Sequence, residues 1–235
     1  MKTIGLIGGM SWESTLSYYK LLNEGVKEIR GGLHSAQIIL YSVDFAPIEK
    51  LQNEGKWEEA GEILSSAAQA LERAGVDIIL LCTNTMHKVA PQIIKHCSVP
   101  FLHIAEATAN ALLKCDARDA ILLGTKFTMQ ESFYKDILAT HGITTYVPNQ
   151  NDTDSINRII FQELCLGIIK EESKKVFLDI IQKLKNDNPS IDSVILGCTE
   201  IGLLVHQNDS ALPLFDTTVL HVNEAISSAL SNIYA

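Results

Sequence analysis

The chain has 235 residues, with 19 Lys or Arg against 28 Asp or Glu, and a formal net charge of −9 at pH 7. Hydrophobic residues make up 46% and charged residues 20%, which is typical of a globular protein with a sizeable core and excludes intrinsic disorder. The negative charge and the absence of Lys/Arg clusters argue against a nucleic-acid partner. An anionic ligand stays possible, because a few local backbone N–H groups can bind a carboxylate whatever the global charge.

The sequence predicts a cytoplasmic protein with free thiols. The apolar start, Ile4–Ile7, is too short for a signal peptide and is broken by Gly8-Gly9. No apolar run reaches the roughly 18 residues of a membrane span. The cysteines are odd in number and scattered, which is not the pattern of a disulfide framework. They are Cys82, Cys97, Cys115, Cys165 and Cys198.

Short apolar runs alternate with longer helix-like segments along the chain. The strand-like runs are Ile4–Ile7, Gln37–Val43 and Val76–Leu81, and the helix-like segments are Ser14–Ile29, Trp57–Ala74 and Met86–Lys95. This alternation predicts an α/β fold with mainly parallel strands. Residues 78–81 are continuously apolar, as expected for a strand that helices cover on both faces of its sheet.

Three segments of the first half recur in order in the second half. Asp77–Thr85 aligns with Asp192–Glu200 at an offset of 115 residues. Ile4–Gly8 aligns with Ala120–Gly124 at 116, and residues 99–103 align with 212–216 at 113. The repetition predicts two pseudo-symmetric open parallel-sheet domains. Since ligands bind at the carboxyl ends of parallel strands, the active site is expected in the cleft between the domains.

Polar segments follow two of the predicted strands in the first half. The turn at 8–15 can bring backbone N–H groups to an anion, or it can be a capped turn with Ser11 or Ser14 near the cap; it matches no nucleotide-binding motif. At 81–88, Thr83, Asn84 and Thr85 can hydrogen-bond a carboxylate or amine, or Asn84 or Thr85 can cap a helix. No second Cys/His pair accompanies Cys82 and His87, so no metal site is expected.

The third polar segment is Gly197-Cys198-Thr199-Glu200-Ile201. A thiol at a helix N-terminus has a lowered pKa, so we expect a reactive thiolate at Cys198, the alternative being a buried structural cysteine. The repeat pairs Cys198 with Thr83. Two groups that face one carbon from opposite sides can remove a proton from one face and return one to the other, which inverts the centre. No Schiff-base lysine or nicotinamide motif stands out, so a reaction without a cofactor is favoured.

At these residues the chain resembles the aspartate/glutamate racemase family over essentially its whole length. The motifs that carry the resemblance are Gly8-Gly9-Met10-Ser11, Cys82-Thr83-Asn84-Thr85-Met86-His87 and Gly197-Cys198-Thr199-Glu200. The resemblance implies racemisation of acidic amino acids without pyridoxal phosphate, and a homodimer. It implies a first domain of residues 1–103 plus 212–235 and a second of 104–211. It also implies that Cys198 is catalytic, with substrate contacts at Met10, Ser11, Gln52, Asn84, Thr85, Thr199 and Glu200.

The chain departs from the family pattern at one catalytic position. The family's first cysteine directly precedes Asn-Thr, whereas here Thr83 does so and the cysteine, Cys82, lies one residue earlier. Neighbouring strand side chains point to opposite faces, so we expect Cys82 to point into the sheet packing and Thr83 into the cleft. A threonine hydroxyl needs an activating neighbour before it acts as a base. Activity is therefore expected to be lopsided between L and D substrates.

Other activities stay open at this point. Related families with cysteine-bearing folds include hydantoin racemases, maleate isomerases and arylmalonate decarboxylases, and the pairing of Thr83 with Cys198 leaves room for a one-cysteine reaction. A non-catalytic amino-acid-binding protein is a further alternative. The choice between aspartate and glutamate depends on one methylene of pocket volume, which the sequence does not fix.

Overall fold

The computed structural model describes residues 1–231 and divides into two compact units. Unit 1 comprises Met1–Ile104 and the chain from His221 onward, and unit 2 comprises Ala105–Leu220. Each unit has a four-stranded sheet in which all neighbouring strands are parallel, with helices between the strands. The predicted α/β class with two parallel sheets is confirmed. Within residues 1–231, no helix is long and apolar enough to cross a membrane.

Unit 1 has the strand order β2-β1-β3-β4. Its strands are β1 (Ile4–Gly8), β2 (Ile38–Ser42), β3 (Ile78–Leu81) and β4 (Phe101–Leu102). Its first four helices are α1 (Trp12–Arg30), α2 (Phe45–Asn53), α3 (Trp57–Arg73) and α4 (Ala90–Lys95), and a 3₁₀ turn covers Thr85–Val89. Helix α5 (Ile104–Lys114) begins at the last residue of this part of unit 1 and continues into unit 2.

Unit 2 has the strand order β6-β5-β7-β8. Its strands are β5 (Asp119–Gly124), β6 (Thr144–Tyr146), β7 (Ser193–Gly197) and β8 (Leu214–Asp216). Its helices are α6 (Lys126–Gln130), α7 (Ser132–Thr140), α8 (Gln150–Gln162) and α9 (Glu171–Asp187), with 3₁₀ turns at Leu164–Leu166, Ile201–Leu203 and Gln207–Asp209. Helix α10 (Thr217–Leu230) begins in unit 2, and its residues from His221 belong to unit 1.

The two sheets repeat the same strand register. Ile7 lies beside Leu81 in unit 1, and Leu123 lies beside Leu196 in unit 2, at offsets of 116 and 115 residues. An aspartate at the equivalent position of each unit accepts a hydrogen bond from a backbone N–H. Asp77 accepts a hydrogen bond from the Thr3 N–H at 2.6 Å, and its counterpart Asp192 accepts one from the Asp119 N–H at 3.3 Å. The internal duplication predicted from the sequence is therefore present in the fold.

Helices cover both faces of the unit 1 sheet, which explains the continuous apolar strands. On one face Ile79 and Leu81 pack with Leu64 and Leu71 of α3. On the other face the alternate strand residues pack with α1 and α10; this cluster contains Leu6, Leu80, Cys82, Tyr18, Leu22, Val222 and Ile226. In unit 2 one cluster joins Ile121 and Leu123 of β5 to helices α8 and α9.

The observed units differ from the predicted domain bounds mainly at the second boundary. The prediction returned the chain to the first domain at residue 212, but β8 pairs with β7 in the second sheet, so unit 2 extends to Leu220. Residues 232–235 of the predicted first domain lie outside the described residues. Helix α2 was not predicted, and the segment predicted as one helix from Met86 to Lys95 is a 3₁₀ turn followed by α4.

Candidate active site

A turn that requires glycine joins β1 to α1. Gly9 has φ +96°, and a Cβ at this position would overlap the Val43 carbonyl. The Gly9 N–H donates to the Thr15 hydroxyl at 2.8 Å, and that hydroxyl donates to the Ser11 carbonyl at 2.9 Å. Ser11 is the N-cap of α1, with its Oγ accepting from the Ser14 N–H at 3.3 Å. The capping role considered for Ser11 is confirmed, and the Ser14 N–H is already used by that cap.

Helix α2 brings Gln52 to the same side of unit 1. Gln52 is buried, and its Nε2 donates to the Sδ of Met86 at 2.9 Å. Met10 and Met86, from two of the predicted motifs, belong to one core cluster, and Gln52 contacts Met86 of that cluster. Sequence reasoning missed the helix itself. Its signal was Asp44, which caps α2 by accepting from the Ala46 N–H at 3.3 Å.

The end of β3 separates the cysteine from the threonine. Cys82 packs in the core cluster that faces α1 and α10, and burial raises the pKa of its thiol. Its predicted orientation into the packing is confirmed. Thr83 is 8% exposed, and no residue of the described chain hydrogen-bonds its hydroxyl. The threonine therefore lacks the activating neighbour that a hydroxyl needs to act as a base.

The residues after Thr83 form a short turn. Asn84 stands at the N-cap position of the 3₁₀ turn Thr85–Val89, but its side chain makes no capping hydrogen bond. Both Asn84 and Thr85 are buried. His87 donates from Nδ1 to the Thr83 carbonyl at 2.7 Å. A capping role thus does not account for the buried amide of Asn84.

In unit 2, Cys198 directly follows β7 and forms a compact group with the next two residues. Its Sγ donates to Oε2 of Glu200 at 2.9 Å, and the Thr199 hydroxyl donates to the same oxygen at 2.8 Å. Cys198 is 7% exposed and Glu200 is 2% exposed. The carboxylate therefore accepts two hydrogen bonds in a site with little access to water.

The expected lowering of the Cys198 pKa is wrong. Burial raises the pKa of the thiol well above its ordinary value, and the Glu200 charge raises it further. The helix expected after Cys198 is only the 3₁₀ turn Ile201–Leu203, which offers little dipole to stabilise a thiolate. Cys198 is consequently a thiol at neutral pH, paired with a carboxylate that can take its proton.

Three histidines lie close together in unit 1, but they do not form a metal site. The His87 ring centroid lies 4.5 Å from that of His103 and 5.8 Å from that of His221. Both ring nitrogens of His87 and of His221 are engaged in hydrogen bonds, so neither ring has a lone pair free for a cation. Across residues 1–231, no group of three or more His, Cys, Asp or Glu side chains could hold a metal ion.

Two repeated parallel α/β units, with a thiol in one and a hydroxyl in the other at matched strand ends, indicate a racemase. The Asp/Glu/hydantoin racemase family profile matches residues 7–225, and the chain belongs to that family. The predicted enzyme class, an amino-acid racemase among the isomerases, is thereby confirmed.

Individual relatives cover nearly the whole chain. A crystal structure from Yersinia pestis, provisionally assigned as an Asp/Glu racemase, is 50% identical, covers 98% of this chain and 100% of its own, and has a TM-score of 0.90. An aspartate racemase homologue from Pyrococcus horikoshii is 39% identical over 97% of this chain and 99% of its own, with a TM-score of 0.85. The broad-specificity amino-acid racemase RacX of Bacillus subtilis is 23% identical over 97% of this chain and 98% of its own length.

Proposed function

We propose that the protein racemises the acidic amino acids aspartate and glutamate without a cofactor, by removing and returning the proton at Cα. In this proposal Cys198 and Thr83 act from opposite faces of Cα, and activity is lopsided between the L and D substrates. The observation that carries it is the hydrogen bond from the Cys198 thiol to Glu200 at 2.9 Å. The substrate class is supported by relatives described as a provisionally assigned Asp/Glu racemase, an aspartate racemase homologue and a broad-specificity amino-acid racemase.

The proposed chemistry begins with transfer of the Cys198 proton to the Glu200 carboxylate. The resulting thiolate takes the α-proton of the enantiomer that presents it to Cys198, and leaves a carbanion that the substrate carboxylate stabilises. The Thr83 hydroxyl then gives its proton to the opposite face and is reprotonated from solvent, while Glu200 releases to solvent the proton that it took from Cys198. The reverse direction is slow, because the Thr83 hydroxyl has no side-chain base to activate it.

We assign substrate binding to residues that follow strands of the two sheets and to Gln52 of α2. In unit 1 these are Met10, Ser11, Gln52, Asn84 and Thr85, and in unit 2 they are Thr199 and Glu200. Ser11 and Asn84 offer a hydroxyl and an amide that can hydrogen-bond the carboxylates of the substrate. The homodimer and the cytoplasmic location stay predictions, and the molar mass in solution measures the first.

The test is exchange of the α-hydrogen in D₂O, followed by ¹H NMR for each enantiomer of aspartate and glutamate. Exchange is expected to be fast for one enantiomer and much slower for the other. Cys198→Ala is expected to abolish the fast exchange, whereas Cys82→Ala, whose thiol lies in the core, keeps it. Equal and fast exchange of both enantiomers would contradict the proposed difference in activity between the L and D substrates. Tight binding of aspartate or glutamate without any exchange would identify a binding protein instead.

A second candidate is favoured by the hydroxyl at Thr83. A reaction that needs one thiol, of the hydantoin racemase or maleate isomerase type, has no use for a second cysteine at that position. A panel of hydantoins and maleate, analysed by chiral chromatography beside aspartate and glutamate, separates the two candidates.

A further inference from the structure

His87 ties the backbone at Thr83 to the chain that follows β4. Its Nδ1 lies 2.7 Å from the Thr83 carbonyl oxygen, and the Ile104 N–H donates to its Nε2 at 3.2 Å. A carbonyl oxygen only accepts and a backbone N–H only donates, so the ring must carry its proton on Nδ1 and leave Nε2 bare. His87 is 1% exposed, and burial lowers its pKa well below the ordinary value, which keeps this tautomer neutral.

A second histidine anchors the same stretch independently. His221 donates from Nε2 to the Leu102 carbonyl at 2.9 Å, and the Tyr18 hydroxyl lies 2.8 Å from its Nδ1. Leu102 is the last residue of β4, two residues before Ile104. The backbone at Ile104, to which His87 links Thr83, therefore lies next to a strand end that His221 also holds.

Thr83 needs such an anchor because it lies beyond the end of the sheet. Strand β3 ends at Leu81, and the Cys82 N–H makes the last bond to β1, to the Ile7 carbonyl at 2.9 Å. The Thr83 N–H turns back to the Leu81 carbonyl, and its hydroxyl has no partner in residues 1–231. The hydrogen bond from His87 to the Thr83 carbonyl thus links Thr83, through the imidazole, to the backbone at Ile104.

Unit 2 has no equivalent of this histidine. At an offset of 115 residues the position of His87 becomes Gly202, and a Cβ there would overlap the Asp216 carboxylate. Cys198 is held instead by its own side-chain bond to Glu200. The imidazole anchor occurs on the threonine side of the repeat, where the side chain itself is not held.

We propose that His87 is a positioning residue for Thr83. As the neutral Nδ1–H tautomer, it fixes the backbone so that the Thr83 hydroxyl can deliver its proton to the substrate's Cα. This inference rests on the proposed function. The two can be tested separately. Exchange of the α-hydrogen with retention does not need Thr83, whereas inversion at Cα does.

Two substitutions of His87 test its two hydrogen bonds separately. His87→Asn keeps an amide N–H near the position of Nδ1 and can still donate to Thr83. His87→Gln places an amide oxygen near the position of Nε2, where it accepts from Ile104 and leaves Thr83 without its donor. Tyr18→Phe is the matched control, because it removes a buried hydroxyl from the neighbouring network and leaves the bond between His87 and Thr83 in place.

The measured quantity is the ratio of inversion to retained exchange in D₂O, for the enantiomer that exchanges quickly. His87→Gln is expected to lower this ratio at least about tenfold while retained exchange continues, since small misplacement of a proton donor slows its step strongly. His87→Asn and Tyr18→Phe are expected to stay near the wild-type ratio. An unchanged ratio in His87→Gln, or an equal loss in His87→Asn, overturns the inference and leaves the proposed function standing. No exchange by the wild type refutes both.

A measurement on the wild-type protein covers the case in which His87→Gln does not fold. The ¹⁵N chemical shifts of the His87 ring report which nitrogen carries the proton. We expect protonated Nδ1 and bare Nε2 across neutral pH. A ring protonated on Nε2 cannot donate to Thr83 and would overturn the inference without any variant.

Discussion

Acid is expected to destabilise unit 1 through His221. Burial lowers the pKa of His221 from its ordinary value of 6.5 to about 4, and its imidazole is enclosed by Tyr18, Leu102, His87 and His103. The folded state therefore binds fewer protons than the unfolded state between these two pKa values. The stability contributed by the neutral ring is fully present above pH 6.5 and is lost as the pH falls toward 4.

The size of this effect follows from the shift. A change of 2.5 pKa units corresponds to about 3 kcal/mol in the free energy of unfolding once the pH reaches the folded pKa. Between pH 7.5 and pH 5 the loss amounts to about 2 kcal/mol. His87 is shifted in the same direction, so the total acid sensitivity of unit 1 exceeds the part due to His221.

Urea unfolding followed by tryptophan fluorescence measures this prediction selectively, because the chain has two tryptophans, Trp12 and Trp57, and both lie in unit 1. His221→Gln keeps a donor for Leu102 and has no titration, so its loss between pH 7.5 and 5 is expected to be smaller than the wild-type loss by about 2 kcal/mol. His141→Gln, which makes the same replacement in unit 2, serves as the control. An equal pH dependence in His221→Gln and the wild type would refute the reasoning.

Three further predictions follow from contacts described above. Burial raises the pKa of Cys198 and the Glu200 charge raises it further, so Glu200→Gln is expected to lower that pKa in part and to speed alkylation of Cys198 by iodoacetamide at pH 8. Exposed Cys115 is the internal reference in peptide mass spectrometry, and an unchanged rate contradicts the contribution assigned to Glu200. Gly9→Ala forces a side chain into positive φ against the Val43 carbonyl and is expected to cost about 2 kcal/mol or more in urea unfolding. Gly31→Ala, also at positive φ but with no atom near the added Cβ, is expected to cost less. Asp77→Ala is expected to cost unit 1 about 1 kcal/mol by tryptophan fluorescence, and Asp192→Ala, its counterpart in unit 2, is expected to leave that transition in place.

Sequence patterns predicted the sheets well, because buried parallel strands have a simple signature. The residues of β3 are continuously apolar. The aspartates at 77 and 192 precede β3 and β7 at the same register position in the two units. The packing of Cys82 followed from strand alternation alone. Helix α2 was missed because its segment is short and has mixed polarity, and only Asp44 marked its start.

The properties of Cys198 could not be predicted in the same way. Its position in the motif suggested a helix N-terminus, but the direction of the pKa shift depends on where the Glu200 side chain lies and on how deeply the thiol is buried. These are tertiary features. The boundary at residue 212 also depended on strand pairing, because the partner of β8 is set by the fold and not by the composition of β8.

The route of the chain through the two units has a consequence for its synthesis. Unit 2 is one continuous segment, whereas unit 1 is completed by residues from His221 onward, which the ribosome makes after unit 2. Until then, the apolar surface formed by Leu6 and Leu80 of the first sheet and by Tyr18 of α1 lacks the cover that Val222 and Ile226 later provide. A nascent chain therefore carries an exposed apolar surface throughout the translation of unit 2. During this period the surface is accessible to chaperones that bind apolar segments.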